Sequence, residues 1–237
     1  MIIEFLYPTV ASLYGEHGNL TYLRQTFPEA TFVSTDFTDT PRFLSGDVDL
    51  VYIGPMSERS QRKIMNVLRP YVARIKELIE NGQYFLVTGN AVDMFGTSIE
   101  YEDVGVVEAL NLFPFTSKLT MLGRFNCMVM GTFEGMKLVG HKTQFSMSYG
   151  DFKENMFFKV EKGIGMNPKT MEEGIRYHNF FATQMIGPML VLNPHFTQWL
   201  FNRVANREVI LPYKDALLLA YDRRVEDFAE VKEAIYE

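Results

Sequence analysis

Short apolar or β-branched runs recur along the first third of the chain, at residues 2 to 6, 31 to 35, 48 to 53 and 84 to 87. Their length suits buried strands, and the segments between them carry helical apolar spacing or turn residues, the rhythm of parallel βαβ units. The clearest helical stretch runs from about Glu58 to Ile79, where Ile64, Leu68, Tyr71, Val72, Ile75, Leu78 and Ile79 form one stripe at three- and four-residue spacing. Pro70 predicts a kink or restart within it, and Asn81-Gly82 predicts its stop. From Lys118 to about Thr183 the period changes. Phe125, Cys127 and Val129 alternate with residues of the opposite face, and Gly131, Gly135, Gly140 and Gly150 punctuate short extended runs, so antiparallel strands and hairpins are expected. Two helices are expected to close the chain, one capped by Asn193 with Pro194 in its first turn, the other from roughly Lys214 to Ile235. No repeat or low-complexity linker interrupts the pattern. The expectation is one α/β domain over residues 1–237, with a mixed, mainly parallel central sheet flanked by helices and an antiparallel region in the second half.

At 237 residues and 47% hydrophobic content, one substantial core is within reach. A net charge of -6 and the lack of any Lys/Arg run argue against nucleic acid and anionic lipid as partners. Met1 to Pro8 has no basic region, and its apolar stretch is too short for a signal peptide or a span, so no membrane insertion is expected. Cys127 is the single cysteine, which rules out an intrachain disulfide and a cysteine-based metal site and points to the cytoplasm. His17, His141, His178 and His195 show no metal-ligand spacing; neither a metal nor a cofactor is expected.

Candidate chemistry centres on Gln83 to Gly96, a buried strand, a glycine turn and a short helix. In hydrolytic α/β folds such a turn projects one side chain at the C-terminal edge of the sheet, with helix N-terminal amides nearby. Thr88 is the residue expected there, with Gly54, Pro55, Gly89 and Asn90 as pocket or oxyanion candidates. The alternative is a plain β-to-α connection in which Thr88 caps the helix. Asp93, His141 and Lys142 are possible polar contacts, Asp93 facing solvent or a polar pocket. Cys127 reads as a buried structural thiol.

Four ordered segments carry a family resemblance. Leu6-Tyr7-Pro8 and Leu13-Tyr14-Gly15-Glu16-His17-Gly18-Asn19-Leu20 are similar to an L-Y-P…L-Y-G-D-x-G-N signature; Asp49 to Gln61 is similar to D-x-V-x-x-G-G-G-x-D-x-x-Q, with Pro55 and Met56 in place of glycines. Residues 84 to 96 match a nucleophile elbow. Glu173-Gly174-Ile175-Arg176-Tyr177 and Thr183 to Pro194 resemble E-G-x-x-Y and T-Y-L-H-G-P-L-L-x-x-N-P. On these motifs the chain resembles the class I glutamine amidotransferases of the cobyric acid synthase branch, closest to glutaminase subunits that serve amidation of a cell-wall precursor.

The resemblance implies a flavodoxin-like three-layer sandwich and a Mur-ligase-like synthetase as partner. It also implies a catalytic cysteine and histidine, at whose places stand Thr88 and Ile186. Gly140-His141-Lys142-Thr143-Gln144 likewise departs from the family's G-F-E-N-H. Glutamine hydrolysis in this family needs a thiolate nucleophile and a proton-accepting imidazole, and both partners are replaced. The expectation is a glutamine amidotransferase-like subunit without glutaminase activity that binds or regulates a synthetase. Two alternatives stay open: an enzyme or binding protein that reuses the pocket for another small molecule, and an active glutaminase supplying ammonia to a cell-wall or cobalamin-type substrate.

Overall fold

The apolar runs become parallel strands β1 (Ile2–Leu6), β2 (Thr31–Thr35), β3 (Leu50–Ile53) and β4 (Tyr84–Thr88), in a computed structural model that describes residues 1–231 and the backbone of 235–236. Helix α1 (His17–Thr26) connects β1 to β2; α2 (Glu58–Leu68) and α3 (Val72–Glu80) lie between β3 and β4. Pro70 sits in a 3₁₀ turn, Arg69–Tyr71, that separates α2 from α3, because a proline ring offers no N–H and crowds the preceding turn. The chain continues through β5 (Ser98–Tyr101), β6 (Gly105–Glu108), β7 (Phe115–Leu119), β8 (Phe125–Phe133), β9 (Met136–Gln144), β10 (Ser146–Gly150), β11 (Phe158–Lys162), β12 (Glu172–Glu173), β13 (Ile175–Tyr177) and β14 (Phe180–Thr183). It closes with α4 (Met189–Leu192), α5 (Pro194–Ala205), α6 (Lys214–Glu230) and β15 (Ile235–Tyr236).

The central sheet has the order β13-β14-β4-β3-β1-β2, parallel throughout except for β13 at its edge. Both of its faces are covered, which is why its strands are apolar runs rather than alternating ones. On β3, Val51 and Ile53 join the core that holds Ile64 and Leu68 of α2 and Ile75 and Ile79 of α3. Leu50 and Tyr52 face the other way, into a core shared with Leu20 and Leu23 of α1 and Leu200 and Phe201 of α5. The result is the expected mixed α/β sandwich.

The second half forms the expected antiparallel strands in two smaller sheets, β10-β7-β5-β6 and β12-β11-β8-β15, with β9 on β8. The β8–β9 hairpin turns on Glu134-Gly135, both at positive φ (44° and 80°), the geometry that matches strand twist in a two-residue turn.

Two expectations need correction. The last helix stops at Glu230 rather than near Ile235: Val231 is extended, and Ile235–Tyr236 pairs with β8 instead, while 232–234 lie outside the described residues. Asn193 precedes α5 as read, but its side chain does not cap that helix. Its Oδ1 accepts from Val139 N at 2.8 Å and its Nδ2 donates to Val139 O at 3.0 Å, so the amide clips the helix joint to β9. Among the described residues, no helix is long and apolar enough to cross a membrane.

Candidate functional site

The candidate site lies at the C-terminal end of β4, where the sheet's strands give way to loops. Thr88 is still extended (φ −123°, ψ 153°), so it continues the strand alternation and points to the side of Leu86 and Tyr52, toward α1. Gly89 takes φ +61° and starts a 3₁₀ turn, Gly89–Phe95. The side chain that this turn would aim at the loop on the opposite side belongs to position 89. A Cβ built there falls 2.5 Å from Pro55 Cβ and 3.2 Å from Ile186 Cγ2.

Thr88 is fully buried. Its hydroxyl donates to Glu16 Oε2 at 2.7 Å and lies 3.0 Å from the Tyr52 hydroxyl. Tyr52 and Asn19 Nδ2 also donate to Glu16 Oε2, each at 2.7 Å, and Gly187 N donates to Oε1 at 2.6 Å. Asn19 Oδ1 accepts from Leu190 N at 2.9 Å. Burial pushes the Glu16 carboxyl above its usual range, and these four donors pull it part of the way back. The network therefore joins α1, β3, β4 and the 187–190 loop through one carboxylate without a cation.

On the far side of the turn, a cleft of about 120 Å³ is lined by residues including Leu13, Tyr14, Pro55, Met56, Gly89, Asn90, Gln144, Ser146 and Ile186. Of the residues singled out from the sequence, Pro55, Gly89, Asn90 and Ile186 meet here. Pro55 has no N–H and contributes only wall. Asn90 spends its side chain on the backbone of Met56, accepting from N at 2.9 Å and donating to O at 2.8 Å; its carbonyl accepts from Gln61 Nε2 at 2.6 Å. Gly54 lies against the Ala11 carbonyl, 2.7 Å from where a Cβ would stand.

The remaining candidates point elsewhere. His141 bonds to Ile186 through the backbone, Ile186 N to His141 O at 2.8 Å, but its ring stacks edge-on to Phe228 of α6. Burial first, and Arg224 second, lower its pKa. Lys142 is fully buried in an ion pair with Glu173 and also donates to Gly165 O at 2.6 Å. Asp93 is buried behind the cleft wall rather than facing solvent. It accepts from Ser146 at 2.5 Å, Ser117 at 2.7 Å, Ser148 at 2.9 Å and Gln184 Nε2 at 2.9 Å. Burial raises its pKa, and those four donors oppose the rise. Cys127 is buried, as read, with its thiol pKa pushed up by burial. The Glu16 network escaped sequence reasoning, although Glu16 and Asn19 stand in the Tyr14-to-Asn19 motif.

A parallel sheet with a glycine elbow at the end of its β4 strand, faced by the 186–188 loop, is a class I glutamine amidotransferase-like fold. Comparison with known proteins points the same way. Over 206 residues the chain is 27% identical to the lipid II isoglutaminyl synthase (glutamine-hydrolyzing) subunit GatD of Staphylococcus aureus, covering 84% of this chain and 82% of that one. A crystal structure of a glutamine amidotransferase from Thermotoga maritima superposes with a TM-score of 0.50 at 10% identity, over 96% of this chain and 93% of that one. A second glutamine amidotransferase crystal structure gives 0.51 at 12% identity, over 86% and 98%. Those two likenesses concern the fold alone. No family model matches the chain.

Proposed function

We propose that this chain, as one glutamine amidotransferase-like domain over residues 1–237, is a non-hydrolysing subunit that docks on a Mur-ligase-like synthetase in the cytoplasm. One observation carries the reading. Position 89, which faces the cleft, has no side chain, and Pro55 and Ile186 fill the room where a nucleophile's Cβ and a base would stand. Gly89, rather than Thr88, is then the vestigial nucleophile position, and Ile186 the vestigial histidine position. Amide hydrolysis needs an activated nucleophile within reach of the carbonyl carbon and a group to carry the proton to the leaving nitrogen. Thr88 has a carboxylate beside it, but its hydroxyl is fully buried and already donates to Glu16.

The relative's description as a subunit of a synthase supports a synthetase partner. Leu13 and Tyr14, 42% and 45% exposed at the cleft, and the fully exposed Leu122 on the β7–β8 loop give apolar surface that suits docking. The test is purification of the tagged chain from its native host, with ammonia release from L-glutamine measured on the product and on the isolated chain. A stoichiometric ATP-dependent ligase and no ammonia above that of a Thr88→Ala control are expected. Threonine-dependent release would refute the inactivity, and a chain that purifies alone would refute the subunit role.

A further inference from the structure

Helix α6 has one face built into the molecule and another that is left bare among the described residues. On the inner face, Tyr221 and Phe228 pack with Met130 of β8 and Val139 of β9. The Tyr221 hydroxyl donates to Lys137 O at 2.9 Å, and Arg224 Nη1 donates to Leu192 O at 3.1 Å. The Tyr22 hydroxyl, donating to Pro212 O at 3.1 Å, ties the lead-in of the helix to α1. At 3.6 residues per turn, the opposite face carries Asp215, Ala216, Leu219, Ala220 and Arg223. Leu219 is 74% exposed. Just ahead of the helix, Ile210 is 86% exposed and Tyr213 is 70% exposed, although a φ of +56° strains any side chain at position 213. Single exposed apolar residues are ordinary. Tyr213, Ala216 and Ala220 at three- and four-residue spacing beside Leu219 make a stripe instead, and such a stripe marks a contact face.

The charges on this face select its occupant. Asp215 and Arg223 stand one helical turn to either side of Leu219, so the row Asp215, Leu219, Arg223 is its own complement when reversed. A second α6 laid antiparallel across the first, with the two Leu219 side chains at the crossing, brings Asp215 of each copy opposite Arg223 of the other. Ala216 and Ala220 let the two backbones approach. A surface that complements itself in this way is what a two-fold dimer requires, and a partner of another kind needs no such symmetry. Asp215 meets no cationic side chain among the described residues. Arg223 reaches only Asp227 at 3.1 Å and Glu226 at 3.9 Å on its own helix, an exposed pairing of little weight that leaves guanidinium N–H groups for a further carboxylate.

We propose that the outer face of α6 is a self-association surface, on which a second copy of this chain docks antiparallel about a two-fold axis at Leu219, with Tyr213 and Ile210 flanking the contact. The helix spans Lys214–Glu230, about 25 Å, so the interface is at the small end of the stable range and micromolar dissociation is expected. The contact is independent of what the cleft beside Gly89 binds and of any synthetase at its rim.

The test is sedimentation velocity of the isolated full chain over the micromolar to submillimolar range, where a monomer–dimer equilibrium is expected. Leu219→Glu sets two carboxylates at the crossing and should weaken the dimer by about a hundredfold, about tenfold for each copy. Asp215→Arg alone and Arg223→Asp alone should each be monomeric, because like charges then face each other twice across the axis. Mixed together, the two charge variants should form a dimer, since opposite charges then meet at both places. A native chain that stays monomeric, a dimer that persists in Leu219→Glu, or charge variants that give no dimer on mixing would each overturn the proposal. So would a monomeric chain whose Leu219→Glu variant loses a co-purifying synthetase, which would assign the face to that partner. Urea midpoints check that each variant folds; if a charge variant does not, Leu219→Glu decides.

Discussion

The two sides of the turn after β4 were built on different rules. On the side of α1, Thr88, Tyr52, Asn19 and the Gly187 amide converge on Glu16, and the polar groups match one another across four chain segments. On the cleft side, Gly89, Pro55 and Ile186 meet through carbon. The first side holds four chain segments together through one carboxylate. The second is closed by carbon, which is the side that the proposed loss of hydrolysis concerns. The two are built separately, although a single peptide bond joins Thr88 to Gly89.

Substitutions on each side should tell the two apart. Glu16→Ala strands four donors in a buried place and is expected to cost about 3 kcal/mol or more, read as a lower urea midpoint with an unchanged slope. A change below about 1 kcal/mol would mean that the network is not the support described. Gly89→Ala puts a Cβ at φ +61° against Pro55 and should cost about 2 kcal/mol, of which Pro55→Gly in the same chain returns a part. Full additivity of the two changes would deny that the residues touch. Thr88→Val keeps the shape and removes the hydroxyl, for a loss of about 1 kcal/mol in the same unfolding assay.

The smallest effect concerns pH. Asp93 has a raised pKa, so the folded chain holds its proton more tightly than the unfolded one. Its contribution is fully present below the unfolded value and is lost as pH rises through the folded value. Glu16 adds a dependence of the same sign. The urea midpoint of Asp93→Asn should therefore fall less steeply than the native one as pH rises above about 4, because the amide does not titrate. Parallel pH curves for the two proteins would count against this account of Asp93.

Much of this architecture can be read in the chain. Apolar runs mark the parallel strands, Pro70 divides the helix, and glycine-punctuated alternation marks the hairpin half. The direction of the Thr88 side chain is not legible in the chain, for a physical reason. In a strand buried on both faces, such as Tyr84 to Thr88, the apolar run does not tell which face a terminal side chain takes, and Tyr52 and Glu16 decide it from other segments. Asn193 shows the same limit: Asn-Pro predicts a helix start correctly, but a β9 backbone 54 residues away claims its side chain. Burial of Asp93 depends on Ser117 of β7 and on Ser146 and Ser148 of β10, which meet only when those two strands pair.

The Lys142–Glu173 ion pair has a consequence for how the cleft keeps its shape. Glu173 accepts from Thr183 Oγ1 at 2.7 Å and from Gln184 N at 2.8 Å, Lys142 ties it to β9, and the next β9 residue along, His141, takes Ile186 N on its carbonyl. The position of Ile186 is thereby indexed to the β8–β9 register, as a pawl is to a ratchet tooth. A slip of one residue in that hairpin, whose tip is Glu134-Gly135, would swing Lys142 off Glu173 and carry the 183–186 segment away from Gly89. A turn at the far tip of the hairpin thus acts as a remote setting for the cleft, and lengthening it by one residue should alter amide exchange at Ile186 before it alters global stability.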